Sequence, residues 1–274
     1  MRISELHYQV RANSLVLYYQ PLDTHHRRFN LLEAEMGTYS GKVTNHARKR
    51  LLSALDLLVQ KSPKRKIYNP ISGSTHDFKL AFITLTIAER RNLELREAYD
   101  KLLRPFLRYM KKKQGMTEYV WKGEYQERGQ VHYHVATNTF IPWNVIRWKW
   151  NDVQRRSRLL DDFARRYKHY DPNGTDIHAM QNVEDSLAYI AKEMCKNVQN
   201  TRVTKGKIWD CNVELKKKRF SSVASDHTIS LIDDALQFGF ATKIEAERCW
   251  IIKTKDPLAY LPGNDLKAYR NYIS

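Results

Sequence analysis

The clearest periodicity in the chain lies in its middle third. From residue 78 to 87 apolar and polar positions alternate, with Ala81, Ile83, Leu85 and Ile87 on one face of a strand and Phe82, Thr84 and Thr86 on the other. Residues 93–113 follow with a helical period that Pro105 interrupts, predicting a kink or a restart there. Two more alternating runs, residues 117–126 and 130–138, surround a short turn and predict a hairpin. A helix rich in Trp and Arg starts at Pro142, a favourable first helical residue, and a short strand is expected over 176–181. A last helix spans 184–198, with Leu187, Ile190, Ala191, Met194 and Val198 in one stripe. Strand, helix, two strands, helix, strand, helix is an α+β order of ferredoxin-like (RRM-like) type with a central antiparallel sheet.

The flanks are less regular. Before residue 75 a mixed stretch (Leu15 to Tyr19) leads to an amphipathic basic helix over 44–60, with Leu51, Leu52, Leu55 and Leu58 at helical spacing. Lys61 to Lys66 and the turn Asn69 to Gly73 read as a linker. After residue 199, Lys207 to Val223 reads as a basic hairpin and Leu231 to Gln237 as a short helix. The expected division is an N-terminal basic, partly helical extension (1–74), a central domain (75–199) and a C-terminal basic α/β extension (200–274). Ser40-Gly41-Lys42 lacks the upstream glycines of a phosphate-binding loop, so no NTPase or helicase domain is expected.

Charge sharpens this picture. Forty-seven Lys and Arg against thirty Asp and Glu leave a formal net charge of +17, which favours a polyanionic partner through release of its counterions. Sixteen Tyr and six Trp add flat surfaces for unpaired bases. Cys195, Cys211 and Cys249 are too far apart for a disulfide framework or a zinc site and suit a reducing compartment. With no signal-like apolar segment and no run of about eighteen apolar residues, the expectation is a cytoplasmic protein (host cytoplasm if viral) with no membrane partner.

The candidate chemistry sits on the predicted hairpin. A three-residue loop of Glu127, Arg128 and Gly129 puts Gly last, where a left-handed residue closes a turn with a bulge. That register sets Glu124 opposite His132 and Lys122 opposite His134, so one carboxylate and two imidazoles share a face. The other face then carries Trp121, Tyr125, Val131, Tyr133 and Val135, a core-facing set. Two nitrogen donors and a carboxylate suit an open Mg²⁺ or Mn²⁺ site. Read alone, the same face is equally the solvated side of an ordinary hairpin.

On the last helix Tyr189 projects from nearly the opposite side to the apolar stripe, beside Lys192, Glu193 and Lys196. A phosphate polarised by a nearby metal would make the phenol a competent nucleophile, and Lys192 would orient that phosphate. Taken by itself, Tyr189 is as well explained as a surface residue packed on aliphatic stems. The densest aromatic-basic stretch runs from Trp143 through Arg147, Trp148, Lys149 and Trp150 to Arg155 and Arg156. Trp143, Arg147, Trp148, Lys149, Arg155, Arg156 and Lys196 are the candidate DNA-binding residues. His25, His26, His46, His169 and His178 find no partner in the pattern and read as surface or turn residues.

Together these residues resemble the HUH endonuclease superfamily in its single-tyrosine replication-initiator (Rep) class. Phe82-Ile83-Thr84-Leu85-Thr86 is similar to the family's hydrophobic-Thr strand motif, His132-Tyr133-His134 to its histidine-hydrophobe-histidine motif, and Tyr189-Ile190-Ala191-Lys192 to its Tyr-x-x-Lys nucleophile motif. Glu124 stands where Reps of small single-stranded DNA viruses carry a third metal ligand. The resemblance covers residues 78–196 and implies a metal-dependent nickase of rolling-circle replication in a phage, virus or plasmid. Tyr189 would form a 5′-phosphotyrosine with single-stranded origin DNA, while Glu124, His132 and His134 hold Mg²⁺ or Mn²⁺. Host replication machinery, including a helicase, would be its partners. Two other readings stay open: a noncatalytic single-strand-binding protein, and a related transposase or relaxase. The latter usually have Gln in place of Lys192, or a tyrosine upstream of the histidines.

Overall fold

The computed structural model describes residues 4–21, 44–88, 93–126, 129–180, 189–194 and 207–274. It is a mixed α+β protein built on antiparallel sheets. The chain divides into two compact units, one of Met1–Gly37 with Lys218–Ser274, the other of Thr38–Lys217.

The second unit carries the candidate chemistry. Its elements are α1 (Asn45–Gln60), the hairpin β3 (Arg65–Asn69) and β4 (Ser74–Phe78), and β5 (Leu80–Thr86). A helical stretch follows: α2 (Leu95–Ala98), a π-helical turn over Tyr99–Leu103, and α3 (Arg104–Gln114). Then come β6 (Tyr119–Tyr125), β7 (Val131–Thr137), α4 (Trp143–Arg156), α5 (Asp161–Tyr167), β8 (Thr175–Met180), a helical segment α6 (189–194) and β9 (Trp209–Cys211). The main sheet has the order β8-β5-β7-β6-β9, antiparallel at every pair.

The two faces of this sheet differ as the alternation predicts. Ile83, Leu85, Trp121, Tyr125, Val131, Tyr133 and Val135 turn to one side and pack on Leu95, Leu102, Phe106, Ile146 and Trp150 of the helices. Each such side chain fully withdrawn from water contributes roughly 1.5–3 kcal/mol. Trp150 also donates from Nε1 to the Thr86 carbonyl at 2.8 Å, locking α4 to the sheet. The expected restart at Pro105 takes the form of the π-helical turn just before it, where the Arg104 amide reaches back to the Tyr99 carbonyl. A residue without an N–H is accommodated there because the ladder has already shifted register.

Gly123 marks the tightest point of this core. A β-carbon there would lie 2.6 Å from Cε1 of Tyr133 and 3.0 Å from Leu95, both buried. Gly123→Ala is therefore expected to destabilise the unit by about 1–3 kcal/mol through overpacking, read as a lowered midpoint in chemical denaturation.

Three expectations about the flanks need correction. The predicted linker is the hairpin of β3 and β4, where Asn69 Oδ1 accepts from the Ile71 amide and Gly73 takes φ +65°. Lys207 to Val223 is not a hairpin. Its β9 pairs with β6, whereas β10 (Ser221–Val223) pairs with β1 (Ser4–Arg11). The ends of the chain also form one body rather than two extensions. In the first unit β1 and β2 (Ser14–Pro21) join β11 (Ala241–Ala246) and β12 (Cys249–Thr254) in the order β10-β1-β2-β12-β11. Tyr8, Val10, Leu15 and Leu17 pack there on Ile232 of α7 (Asp226–Gln237) and Tyr269 of α8 (Gly263–Ile273). An isolated hairpin with such a face is marginal in water, so pairing with distant strands completes it.

No helix among the described residues is long and apolar enough to cross a membrane.

Candidate functional site

The hairpin of β6 and β7 takes the predicted register: Glu124 opposes His132, Lys122 opposes His134, and Gln126 bonds to Gln130 across the turn at 2.8 Å. Gly129 adopts φ +78°, the left-handed conformation the loop requires, and its amide donates to the Gln126 carbonyl. Residues 127 and 128 lie outside the described residues. Strand β5 adds a third column, with Thr84 beside His134 and Thr86 beside His132. Thus Glu124, His132, His134, Lys122, Thr84 and Thr86 share the sheet face turned away from the main core.

Ligand atoms of Glu124, His132 and His134 lie within 4.8 Å of one another, a group that could hold a metal ion. Oε1 of Glu124 sits 2.8 Å from Nε2 of His132 and 3.4 Å from Nε2 of His134. Burial pushes the Glu124 carboxyl up, but the two imidazoles and the Lys122 ammonium outweigh it and hold the group well below the usual carboxylate range. It therefore stays ionised, as a metal ligand must. Burial pushes the His134 imidazole down, with neighbouring His132 in the same direction, so it stays neutral with a lone pair to offer. Thr84 Oγ1 lies 3.1 Å from Nδ1 of His134. With the proton on Nδ1, that contact leaves Nε2 facing Glu124 as the donor atom. His132 Nδ1 is buried with no hydrogen-bond partner among the described residues.

Lys122 lies on this face, as the register predicts, and has a role that the sequence alone does not reveal. It is 97% buried, with its ammonium on Oε2 of Glu124. The pair fixes the carboxylate so that Oε1 faces the histidines. Its signal in the sequence is the register alone.

Tyr189 belongs to α6, the segment whose Ile190 and Met194 are buried. The remainder of the predicted helix, including Lys196, lies outside the described residues. Tyr189 itself is 42% exposed, an unusual placement for a tyrosine. Its ring meets Phe82 edge-on at 5.6 Å, and Phe82 stacks on His134 at 5.1 Å. One buried phenyl ring therefore touches both the phenol and a histidine of the group. Partial burial, together with Glu193 and Asp176, pushes the Tyr189 phenol above its ordinary value, so attack requires help in removing its proton. Lys192 is exposed one turn along.

His178, read from sequence as a surface residue, lies with its ring 6.2 Å from that of Tyr189 and bonds Asp176 at 2.9 Å. Strand β8 brings it there by pairing with β5, which sets His178 beside Phe82 and Asp176 beside Thr84. No local pattern announces that pairing. His169 has a turn role, accepting the Asp171 amide, and His25 and His26 lie outside the described residues.

Because Phe82 spans the two groups, Phe82→Leu is expected to slow any reaction of Tyr189 by roughly 100-fold, the scale of an ångström-sized misplacement. Single-strand binding should change little. Single-turnover rates beside equilibrium binding check this.

The DNA-binding candidates divide along α4. Trp143 and Trp148 are half-exposed, and Arg155 and Arg156 reach solvent around Asp152. Arg147 is committed to Asp171 through two contacts at 2.9–3.0 Å. Lys149 turns inward: it is buried, paired to Asp152 at 2.7 Å and laid over the Tyr109 ring. A Lys-Trp-rich helix offers no single polar stripe, so its inward cation cannot be told from its outward ones by pattern.

Residues 80–198 match the family model described as replication-associated protein ORF2. No curated protein and no solved structure matches the chain.

Proposed function

We propose that this chain, whose residues 80–198 belong to the ORF2-type replication-associated protein family, nicks and rejoins single-stranded DNA at a replication origin, with Tyr189 as nucleophile. The observation that carries the reading is the placement of Tyr189 on Phe82, which stacks on His134 of the Glu124–His132–His134 group. The order and face assignment of the central strands also support a ferredoxin-like fold of HUH type.

The donor set fits Mg²⁺ or Mn²⁺: two imidazoles and an ionised carboxylate converge, and His132 keeps a buried nitrogen without a partner among the described residues. Glu124, His132 and His134 would hold the ion, which supplies Lewis-acid polarisation of a phosphate oxygen when bound. Lys122 and Thr84 would keep the carboxylate and the imidazole of His134 in place. Tyr189 Oη would attack the phosphorus, forming a tyrosyl–phosphate bond and breaking the bond to the 3′ oxygen. The phenol gives up its proton, the departing 3′ oxygen gains one, and a 3′-hydroxyl is left to prime synthesis. Reversal of the same step rejoins the ends. Lys192 would approach the phosphate from the exposed side of α6. A host helicase and polymerase would serve as partners.

The test is incubation of labelled single-stranded oligonucleotides, including origin-proximal sequence, with the protein and Mn²⁺, read on a denaturing gel. A covalent protein–DNA band that needs the metal is the expected result. Binding without cleavage across a broad set of strands would replace this reading with a noncatalytic single-strand-binding one.

A further inference from the structure

Helix α4 has two faces. Ile146, Trp150 and Val153 enter the core, as an amphipathic helix requires. Trp143, Arg147, Trp148, Asn151 and Arg155 form a second stripe on the outside, at spacings of four, five, eight and twelve residues from the first. Two tryptophans there, 50% and 55% exposed, serve no packing need that a smaller polar residue would not meet.

This stripe and the segment before β8 enclose a cavity of about 510 Å³. Trp143, Arg147, Trp148, Arg155, Tyr170 and Asp171 line it. The volume falls within the usual range for small-ligand sites, roughly 300–1,000 Å³. Its wall is built rather than incidental. Arg147 is clamped to Asp171, and Asn151, 94% buried, donates to Oδ1 of Asp171 at 2.7 Å and to the Pro172 carbonyl at 3.1 Å. Oδ1 of Asn151 is left buried with no partner among the described residues. Trp148 is itself steadied by the Tyr109 ring at 5.6 Å and the Lys149 ammonium at 5.8 Å.

We infer that this cavity holds an unpaired nucleobase of the DNA strand, stacked on the indoles of Trp143 and Trp148. Flat rings held at half exposure offer the surface on which a base stacks whatever its identity. The Asp171 carboxylate, with the Arg147 guanidinium beside it, supplies hydrogen-bonding groups for base edges. Arg155 and Arg156 at the rim, on a chain of net charge +17, complement the flanking phosphates. Helix α4 packs on the sheet face opposite the Glu124–His132–His134 group, so the base held here belongs to strand flanking the reaction, not to the scissile step. The inference rests on the proposal that the chain handles single-stranded DNA.

The experiment compares wild type with Trp143→Leu/Trp148→Leu, using a labelled mixed-sequence strand of about 16 nucleotides and an abasic strand of equal length. Circular dichroism verifies folding. Expected is binding weakened roughly tenfold or more on the natural strand, an equal and weak affinity of both proteins for the abasic one, and an unchanged salt slope, since no cation is removed. Covalent-adduct yield at saturating DNA should be unaltered. Tyr170→Leu, which leaves α4 intact, should weaken binding in the same direction and serves if the double variant misfolds. Equal affinity of wild type and variants for the natural strand, or an equal loss on the abasic strand, overturns the pocket while cleavage by all proteins preserves the functional proposal. A wild type that neither binds nor cleaves overturns both.

Discussion

Tyr189→Phe is expected to eliminate the covalent protein–DNA band and to reduce strand cleavage by roughly 10⁴-fold or more, the scale on which loss of a nucleophile acts. The substitution removes one oxygen and leaves the ring, so the edge-on contact with Phe82 at 5.6 Å should persist. Because Tyr189 is 42% exposed, the hydroxyl contributes little to folding. Stability and single-strand affinity should accordingly match wild type within error. That separation gives the measurement its force: a loss of rate with unchanged binding assigns the oxygen to the chemistry. Cleavage that survives in the Phe variant would move the nucleophile elsewhere and leave the metal group without its proposed partner.

Glu124→Gln should be nearly as damaging, for a different reason. The amide is isosteric but uncharged, and the carboxylate it replaces faces two imidazoles and an ammonium. Mn²⁺ affinity is expected to fall by more than about 100-fold, beyond the cost of losing an outer-shell partner. Heat denaturation reads this without any DNA. Metal at about one hundred times its dissociation constant should stabilise the wild type by roughly 2.7 kcal/mol, and the variant should show almost no shift at the same concentration. Cleavage should fall in parallel and recover partly at high Mn²⁺. A variant that gains the same thermal shift as wild type would show that the ion binds elsewhere.

The parts of this site that could be read in advance share one property: they are encoded locally. Gly129 fixes the turn, the turn fixes the register, and the register puts Glu124, His132 and His134 on one face while Trp121, Tyr125 and Tyr133 fill the other. The alternation over 81–87 likewise identifies β5, although the strand begins only after Phe78 has ended its own hairpin. What escapes such a reading is pairing between distant segments. The contact of Thr84 with His134 depends on how β5 lies against β7, and the approach of His178 to Tyr189 on how β8 lies against β5. Neither is determined by any residue's neighbours in the chain. The inward turn of Lys149 is hidden for a related reason, since Asp152 and Tyr109 decide it and only the first lies on the same helix.

The hairpin of β1 and β2 lies between β10 and β12, strands that follow the whole 38–217 unit in the chain. That order imposes a schedule on synthesis. The hairpin leaves the ribosome first and waits on the order of ten seconds or more, at usual elongation rates, before its partner strands exist. The unit with the metal group and the nucleophile has all its strands translated in that interval and can condense without them. The closing step then joins segments separated by about two hundred residues. Its entropic cost rises only with the logarithm of the intervening length, and less still once that length has collapsed into a folded body. Translation halted before residue 218 would leave the hairpin with Tyr8, Val10, Leu15 and Leu17 uncovered, an aggregation-prone edge that the finished protein does not present.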